Sequence, residues 1–430
     1  MPIRTCVVVA TVAMAAIGTS QTNPNERLFR QAASEWPAAQ AAAKKAGFRY
    51  TASELASFVP PSQNAASYYE KAFKMLRASS QDFHLPFTLD ASSVASAKAI
   101  LKSESPALAE IEKACELPHC SFAVRTFLGV QNRFPNAAGL KMATRLLCFR
   151  ARIEAHDGNE AAAAADVGRV GHLMRHLMEQ SALVEALVGV AIQAMAIATV
   201  DRIVTDRKGD RRCAKAMLDG LSKFPRRLDF QAIMPQERAS VSYTLSIAYP
   251  EDGKGKPGKV DPSEPEATNQ LITATKGIDP KVVGTAFRTR LLQFYTAAYK
   301  AAGDPALSDK GRLDKISALI EKESKGDATH DWNKIAVDLE QPWHVLLRYK
   351  ALQEVTTLGL EQLANSKPGG IAEKARRLDS FTDKPLHYLL RPNGFVIYSV
   401  GLNMKDDHGR SDRPADDVVF EYPVPPPRGM

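Results

Sequence analysis

The sequence lacks the short motifs by which many catalytic sites are identified. It contains no Gly-x-Ser-x-Gly nucleophile turn, no Gly-x-x-x-x-Gly-Lys-Ser/Thr phosphate loop and no Gly-x-Gly-x-x-Gly dinucleotide motif. The glycine- and lysine-rich stretch at 253–259 has the composition of a phosphate loop, but it lacks a strand and a helix on its two sides. The sequence therefore assigns no reaction. Whether the protein is an enzyme stays open, and a non-catalytic role is favoured.

The chain also lacks a long block of one charge. Its 56 basic and 48 acidic residues give a net charge of +8, and the excess is spread along 430 residues without interleaved aromatic side chains. Nucleic-acid-binding domains instead concentrate their positive charge on one face. We therefore expect a solvated basic surface and no nucleic-acid partner.

Long apolar runs are scarce, and the clearest one lies near the N-terminus, from Thr5 to Gly18 after Arg4. A basic start, a short apolar run and small residues at its end are typical of a secretory signal peptide. We predict a signal peptide over residues 1–20 and an exported protein, periplasmic or extracellular. Retention at the membrane by an uncleaved signal is the alternative. No later stretch is predicted to span a bilayer, which takes about 20 apolar residues.

Cysteine is sparse, with five residues in the chain. Removal of the signal would leave Cys115, Cys120, Cys148 and Cys213. In an oxidising compartment Cys115 and Cys120 form the favoured local disulfide, because Pro118 breaks the helix between them. A zinc site is disfavoured, since the spacing matches no standard zinc pattern. Cys148 lies on an apolar helical face and is predicted to be a buried thiol.

Helical periodicity is abundant. It predicts a helical domain over residues 25–245 and a second helical block over 281–375. Between them, residues 246–280 are poor in apolar side chains around a Gly-, Pro- and Lys-rich stretch, which predicts a flexible loop or linker. We predict a mainly α protein, either an irregular helical bundle or an array of helical hairpins. Whether the two helical blocks form one domain or two stays open.

The clearest helical pair comprises Ala137–Ala155 and Asn159–Met178, which are joined by a turn at Asp157 and Gly158. The pair resembles a tetratricopeptide-type hairpin, but no second copy follows at a fixed period of about 34 residues. The irregular bundle is therefore the favoured architecture.

Residues 376–430 change to a strand-like composition. Two runs, Pro385–Leu390 and Phe395–Gly401, flank a tight-turn sequence and predict an antiparallel hairpin. A third run, Val418–Tyr422, is suited to an added strand. Since an isolated hairpin is marginally stable, we expect this module to dock on the last helix, Gln341–Leu363.

The same module contains residues that resemble a known family. They are Asp379, Pro385, Tyr388, Tyr398, Ser399, Val400, Gly401, Asp406, Asp407, Gly409, Asp416, Asp417 and Val418. Over about forty residues this pattern resembles the carboxyl-terminal part of the major pseudopilin of type II secretion systems. The resemblance implies a hairpin that leads into a calcium-binding loop. The rest of the chain resembles uncharacterised secreted helical proteins of planctomycete-like bacteria, for which no activity is implied.

Several residues depart from the pseudopilin pattern. Ser380 stands where the family commonly has proline, Met404 interrupts the usual Asn/Asp-Gly step, and His408 replaces the first glycine of a pair. The chain also lacks a prepilin processing site before a long apolar helix. We therefore do not expect the protein to assemble as a pilin.

The candidate metal ligands are carboxylates of the C-terminal loop. They are Asp406, Asp407, Asp412, Asp416 and Asp417. Calcium takes six to eight oxygen ligands and accepts backbone carbonyls among them, so a loop of this composition is suited to it. The alternative is a solvated acidic loop whose charge is neutralised by neighbouring lysine and arginine.

His172, His176 and Glu179 follow one another at helical spacing and provide a second candidate ligand set. The His-Glu-x-x-His order of metalloproteases is absent, and Arg175 is a poor neighbour for a cation. A partly exposed helix surface is therefore favoured over a metal site. The remaining histidines, among them His119, are scattered along the sequence and define no site.

Together these patterns predict a non-catalytic binding or scaffold protein of the envelope, with a protein or other envelope component as its partner. A helical concavity would be the binding surface, and calcium would be the only cofactor, bound at the acidic loop. The alternative is an envelope hydrolase whose site is assembled from distant helices. A deep pocket lined by His172, His176 and a carboxylate would favour that alternative.

Overall fold

The computed structural model of the protein describes residues 23–55, 59–76, 89–122, 135–179, 183–225, 230–250, 265–335, 340–365, 377–411 and 416–423. The predicted signal peptide, residues 1–20, lies outside these ranges.

The described ranges contain fifteen α-helices and a three-stranded sheet. The first eight helices are α1 (Glu26–Ser34), α2 (Trp36–Lys45), α3 (Ala52–Leu55), α4 (Ala66–Met75), α5 (Ala91–Ser103), α6 (Ser105–Glu116), α7 (Pro135–His156) and α8 (Glu160–Met178). The others are α9 (Leu183–Asp206), α10 (Arg211–Leu221), α11 (Phe230–Ala248), α12 (Pro265–Ala274), α13 (Pro280–Gly303), α14 (Asp309–Ser324) and α15 (Glu340–Asn365). Short 3-10 segments cover Pro61–Gln63 and Ala328–Ile335. The predicted mainly α fold with a small C-terminal β module is confirmed.

Helices α7 and α8 form the hairpin that the sequence predicts. Gly158 takes a φ of +86° in the turn between them, a conformation that favours glycine. Helix α8 also packs closely on α10, because Gly220 leaves room for the backbone of α8: a Cβ atom there would lie 2.7 Å from the carbonyl oxygen of Ala164. Small residues therefore set the distance between these helices.

Helix α9 lies in the interior and packs against α7, α8 and α15. Its most apolar stretch has a mean hydropathy of 2.0, and half of that stretch is buried inside the protein. By length and composition alone α9 is long and apolar enough to cross a membrane. The expectation that no such stretch follows the N-terminal run was therefore wrong. The packing of α9 is that of a core helix.

One hydrophobic core runs through both predicted helical blocks, from Phe29 on α1 to Phe420 in the sheet. Helix α1 packs on α13, and α10 packs on α15, so helices from the two blocks contact each other directly. Within the predicted linker, 246–280, the structure places the end of α11 and the whole of α12. Residues 251–264 lie outside the described ranges.

The β module consists of β1 (His387–Arg391), β2 (Gly394–Ser399) and β3 (Val418–Tyr422), paired antiparallel in the order β1-β2-β3. It docks on α15, as the sequence predicts. At the contact, Gly359 of α15 faces Phe420 of β3 so closely that a Cβ atom would overlap the ring.

The four cysteines of the described ranges are free thiols, so the expected disulfide between Cys115 and Cys120 is not formed. The Cys115 sulfur instead lies 3.7 Å from the Tyr69 hydroxyl and 3.7 Å from the Arg169 carbonyl oxygen. Cys148 is buried, as predicted. Burial raises the pKa of all four thiols, to about 12 for Cys148. Thiols of this kind are poor nucleophiles near neutral pH.

Candidate functional site

The acidic loop, residues 401–417, connects β2 to β3 and is tightly folded where the structure describes it. Gly401 opens the loop with a φ of +66°, and a Cβ atom there would overlap the carbonyl oxygen of Asp416. Met404 and His408 also take positive φ values, of 54° and 59°, which are unfavourable for residues that carry a side chain. Contacts within the loop must therefore hold this backbone in place.

Asp406 and Asp407 make such contacts. The Tyr398 hydroxyl donates to Asp406 Oδ1 at 2.9 Å, and a backbone amide of the loop donates to the same oxygen at 2.9 Å. Asp407 Oδ2 accepts from the Asn403 side-chain amide at 2.8 Å and from the Asp416 backbone amide at 3.1 Å. The hydrogen bond from Asn403 helps to hold the pKa of Asp407 below its usual value. Both carboxylates thus act as acceptors that fix the loop.

Asp416 and Asp417 connect the loop to its surroundings. Asp416 forms an ion pair with Arg348 of α15 and accepts the Leu402 amide at 3.0 Å. Asp417 is fully buried, and its Oδ2 accepts the Gly409 amide at 2.8 Å. Burial raises the pKa of Asp417, because removal from water disfavours the ionised form. Burial thus makes Asp417 harder to ionise than a carboxyl group in water.

The fifth predicted ligand, Asp412, lies outside the described residues. Among those that the structure describes, no three His, Cys, Asp or Glu side chains are grouped closely enough to hold a metal ion. A calcium site in this loop would therefore need Asp412 or backbone carbonyl oxygens, both of which calcium accepts. Calcium binding stays a prediction.

Asp379 is a buried acceptor at the start of the β module. Its Oδ1 accepts the Ser399 hydroxyl at 2.9 Å and the Phe381 amide at 2.8 Å, and its Oδ2 accepts the Val400 amide at 2.9 Å. In the sequence, only the pseudopilin resemblance points to Asp379. Its role in the structure is to fix the end of β2, from which the acidic loop departs.

His176 is buried, so the favoured prediction of a partly exposed helix surface was wrong for this residue. Its Nε2 lies 2.9 Å from the Leu117 carbonyl oxygen, and its Nδ1 lies 2.9 Å from the Tyr69 hydroxyl. Since a carbonyl can only accept, Nε2 carries the proton and Nδ1 accepts from Tyr69. Burial lowers the pKa of His176 to about 4. The side chain is a neutral link between α4, α8 and the segment after α6.

Glu179 does not join the two histidines in a ligand set. Its carboxylate accepts the Cys120 amide at 2.9 Å and lies 3.3 Å from His119 Nδ1. His172 contacts Arg175 on its own helix, and burial lowers the pKa of His172. The face His172–Glu179 therefore holds structural contacts with the segment after α6.

A cleft opens between α5, α6 and α7, at the end of the helical hairpin. Its cavity volume is about 440 Å³. Leu101, Leu108 and Ile153 supply apolar surface, and the remaining lining includes three basic and three acidic side chains. The charged residues are Lys98, Lys102, Arg150, Glu112, Glu154 and Asp157. Neither His172 nor His176 lines it, so it is not the pocket that would favour a hydrolase.

One end of the cleft is fixed by a charge network. Arg150 donates from Nε to Asp166 Oδ2 at 2.7 Å and from Nη2 to Glu112 at 2.7 Å. Arg169 also donates to Asp166, at 2.7 Å. Asp166 is 1% exposed. A buried carboxylate thus orients the arginine that lines the cleft.

A second group of polar residues lies where α1, α13, α14 and the 3-10 segment Ala328–Ile335 meet. It was not predicted from the sequence. Arg290 donates to Glu35 at 2.6 Å, and Gln293 donates to the same carboxylate at 3.0 Å. Glu323 Oε2 lies 3.8 Å from His330 Nε2. The hydrogen bond from Gln293 lowers the pKa of Glu35, whereas burial raises the pKa of Glu323. Residues so far apart in sequence share no local pattern that would have revealed them.

Comparisons with known proteins add no functional assignment: no family model, no curated protein and no solved structure matches the chain.

Proposed function

We propose that the protein is an exported, non-catalytic binding or scaffold component of the cell envelope, and that the cleft between α5, α6 and α7 is its binding surface. The cleft itself is the observation that carries the proposal, because it combines a cavity of about 440 Å³ with apolar surface and charged side chains. Pockets of roughly 300–1,000 Å³ are the usual size for ligand binding. The partner is a protein or another component of the envelope.

The environments of two side chains with catalytic potential, His176 and Cys115, support a non-catalytic role. His176 is buried, and both ring nitrogens are engaged. Cys115 is buried as well, with a pKa raised to about 12. A general base must reach its substrate and a nucleophilic thiol must ionise, and neither residue is placed to do so.

The alternative, an envelope hydrolase, is favoured by a different observation. Glu35 and Glu323 have pKa values shifted in opposite directions, and Arg290 acts on both. Such pairs are typical of acid–base catalysis. Turnover of chromogenic ester, glycoside or peptide substrates by the purified chain, removed by Glu323→Gln in a folded variant, would establish this alternative.

Export and a pseudopilin-like tail are parts of the same proposal. The apolar N-terminal run supports export. A three-stranded sheet with an acidic loop between β2 and β3 supports the likeness to the pseudopilin module. In the proposal the loop serves as a structural calcium clip and the helical cleft as the binding surface.

Site-specific photo-cross-linking in cells that produce the protein tests the binding role. We expect a photoreactive residue at Ala109, exposed in the cleft, to give discrete adducts in the envelope fraction. The same residue at Lys215, exposed on α10, is the matched control and should give none. Lys98→Gln should weaken the adduct from position 109 and, because it removes only the exposed ion pair with Asp157, should destabilise the fold by at most about 1 kcal/mol. Equal adducts from both positions, or none from either, would contradict the proposal.

The calcium clip predicts a calcium-dependent melting temperature. For the mature chain, residues 22–430, we expect calcium at 100 times its Kd to stabilise the fold by about 2.7 kcal/mol relative to chelator, since the ion binds only the folded state. Asp406→Ala/Asp407→Ala should remove this difference in thermal melts.

The matched control for the calcium experiment removes two exposed acidic residues elsewhere. Asp314→Ala/Glu321→Ala, on α14, changes the net charge by the same amount as Asp406→Ala/Asp407→Ala and should retain the full calcium response. Identical melting temperatures of the wild-type chain in calcium and in chelator would contradict the calcium clip and would show that the loop is a solvated acidic edge of the sheet.

A further inference from the structure

Two charged groups in the cleft are less fully engaged than the rest. Among the described residues the ammonium group of Lys102 has no ion-pair or hydrogen-bond partner, and Lys102 is exposed on α5. Glu154 of α7 accepts one hydrogen bond, from the Asn159 side chain at 2.8 Å through Oε2, which leaves Oε1 available. The cleft therefore presents one available cation, from α5, and one available carboxylate oxygen, from α7.

The other charges of the cleft are already paired. Lys98 forms an ion pair with Asp157 at 2.7 Å, which joins α5 to the end of α7. Arg150 is held by Glu112 and by the buried Asp166. These pairs neutralise one another, so the cleft carries no excess of either sign for a simple anion or cation. The available groups favour a ligand that carries both charges.

Apolar side chains line the same cavity as the two available groups. Leu108 and Ile153 are buried residues that line the cavity, and Leu101 lies beside them. Ile153 also belongs to a small hydrophobic cluster under α5, separate from the main core and formed with Val94 and Phe149. An apolar group of a ligand would lie on this surface while its charged ends reach the two available groups.

We propose that the cleft binds a short peptide in its zwitterionic form, with its carboxylate at Lys102 and its ammonium group at Glu154. An apolar side chain of the peptide contacts Leu101 and Ile153. The cavity volume, about 440 Å³, suits a ligand of a few residues. This inference rests on the proposed binding function of the same cleft and gives the chemical class of what it binds.

Calorimetric titration of the mature chain with the tripeptide Ala-Leu-Ala tests the inference. We expect binding by the free peptide, and at least tenfold weaker binding by its C-terminal amide and by its N-acetyl form. Lys102→Met should weaken binding of the free peptide at least tenfold and leave the already weak binding of the C-terminal amide unchanged. Glu154→Gln should weaken binding of the free peptide at least tenfold and leave the already weak binding of the acetylated peptide unchanged.

A matched variant and the pattern of losses keep the test specific. Lys215→Met removes one exposed lysine from α10 and should leave the affinity for the free peptide unchanged. Since Lys102 and Glu154 are not buried, the variants should have the same melting temperature as the wild-type chain. Equal affinity for the free, amidated and acetylated peptides would overturn the zwitterion assignment.

The outcome for peptides is separable from the outcome for the binding function. If Ala-Leu-Ala fails to bind while position 109 still gives adducts in the envelope, the cleft binds a partner of other chemistry, and only the peptide inference is overturned. If neither result is obtained, both are overturned. If the peptide binds and no adduct forms, the peptide inference holds, and the proposed envelope partner is excluded from this cleft.

Discussion

Replacement of Asp166 by alanine is expected to destabilise the protein by about 3–5 kcal/mol, the range observed when one partner of a buried ion pair is removed. Asp166 is 1% exposed and accepts two hydrogen bonds from Arg150 and one from Arg169. Its loss leaves Arg150, which is 19% exposed, with Glu112 as its remaining carboxylate partner. Urea denaturation at pH 7 measures the change in the free energy of unfolding.

Two further variants separate the ion pair from the general effect of a lost carboxylate. Asp157→Ala removes an exposed partner of Lys98, so we expect a cost of at most about 1 kcal/mol. Arg150→Met/Asp166→Leu replaces both members of the buried pair by apolar groups and should recover part of the loss. A cost for Asp166→Ala no larger than that for Asp157→Ala would show that the network contributes little to stability.

Local patterns were sufficient to predict the elements whose ends are encoded nearby. Gly158 supplies the positive φ of the turn between α7 and α8, and the hairpin of β1 and β2 follows the turn sequence that precedes Gly394. The marginal stability of an isolated hairpin predicted that the β module docks on the last helix, and α15 covers it in the structure. The two turns depend on residues that lie close together in the sequence.

Contacts between distant residues could not be predicted in this way. Glu237 accepts the Leu183 amide at 2.5 Å and so caps α9 from α11. The sequence pattern of Glu237 is that of an ordinary ion pair or helix cap, and it does not indicate which distant helix is capped or that burial raises the pKa of this residue. Likewise, Glu35 meets Arg290 only because α1 packs on α13. No periodicity relates positions so far apart.

The candidate sites show the same division. The sequence correctly predicted an acidic loop after a strand end, and the structure adds that its carboxylates hold the backbone of the loop. It did not predict the cleft, whose charged residues come from three helices. Nor did it predict the burial of His176, since the residue that satisfies Nδ1 is Tyr69, on another helix. A polar residue on a helix face is read as exposed unless its distant partner is known.

His176 makes stability depend on pH in a defined window. Its pKa is lowered to about 4 in the folded protein, first by burial, and the neighbouring charges of Arg175, His172 and His119 lower it further. In the unfolded chain a histidine titrates near pH 6.5. The unfolded state therefore binds more protons between these values, and stability falls as the pH is lowered from about 6.5 toward 4. The full loss would be roughly 3 kcal/mol, at 1.36 kcal/mol for each pKa unit.

Urea denaturation of the wild-type chain and of His176→Gln at pH 7, 6, 5 and 4.5 measures this contribution. We expect the wild-type free energy of unfolding to decrease over this range, and the glutamine variant, which cannot gain the proton, to show a shallower decrease. His156→Gln, at an exposed helix end, is the matched control and should follow the wild-type profile. Parallel profiles for the wild-type chain and His176→Gln would mean that burial does not hold His176 neutral. The buried imidazole would then contribute packing without pH dependence.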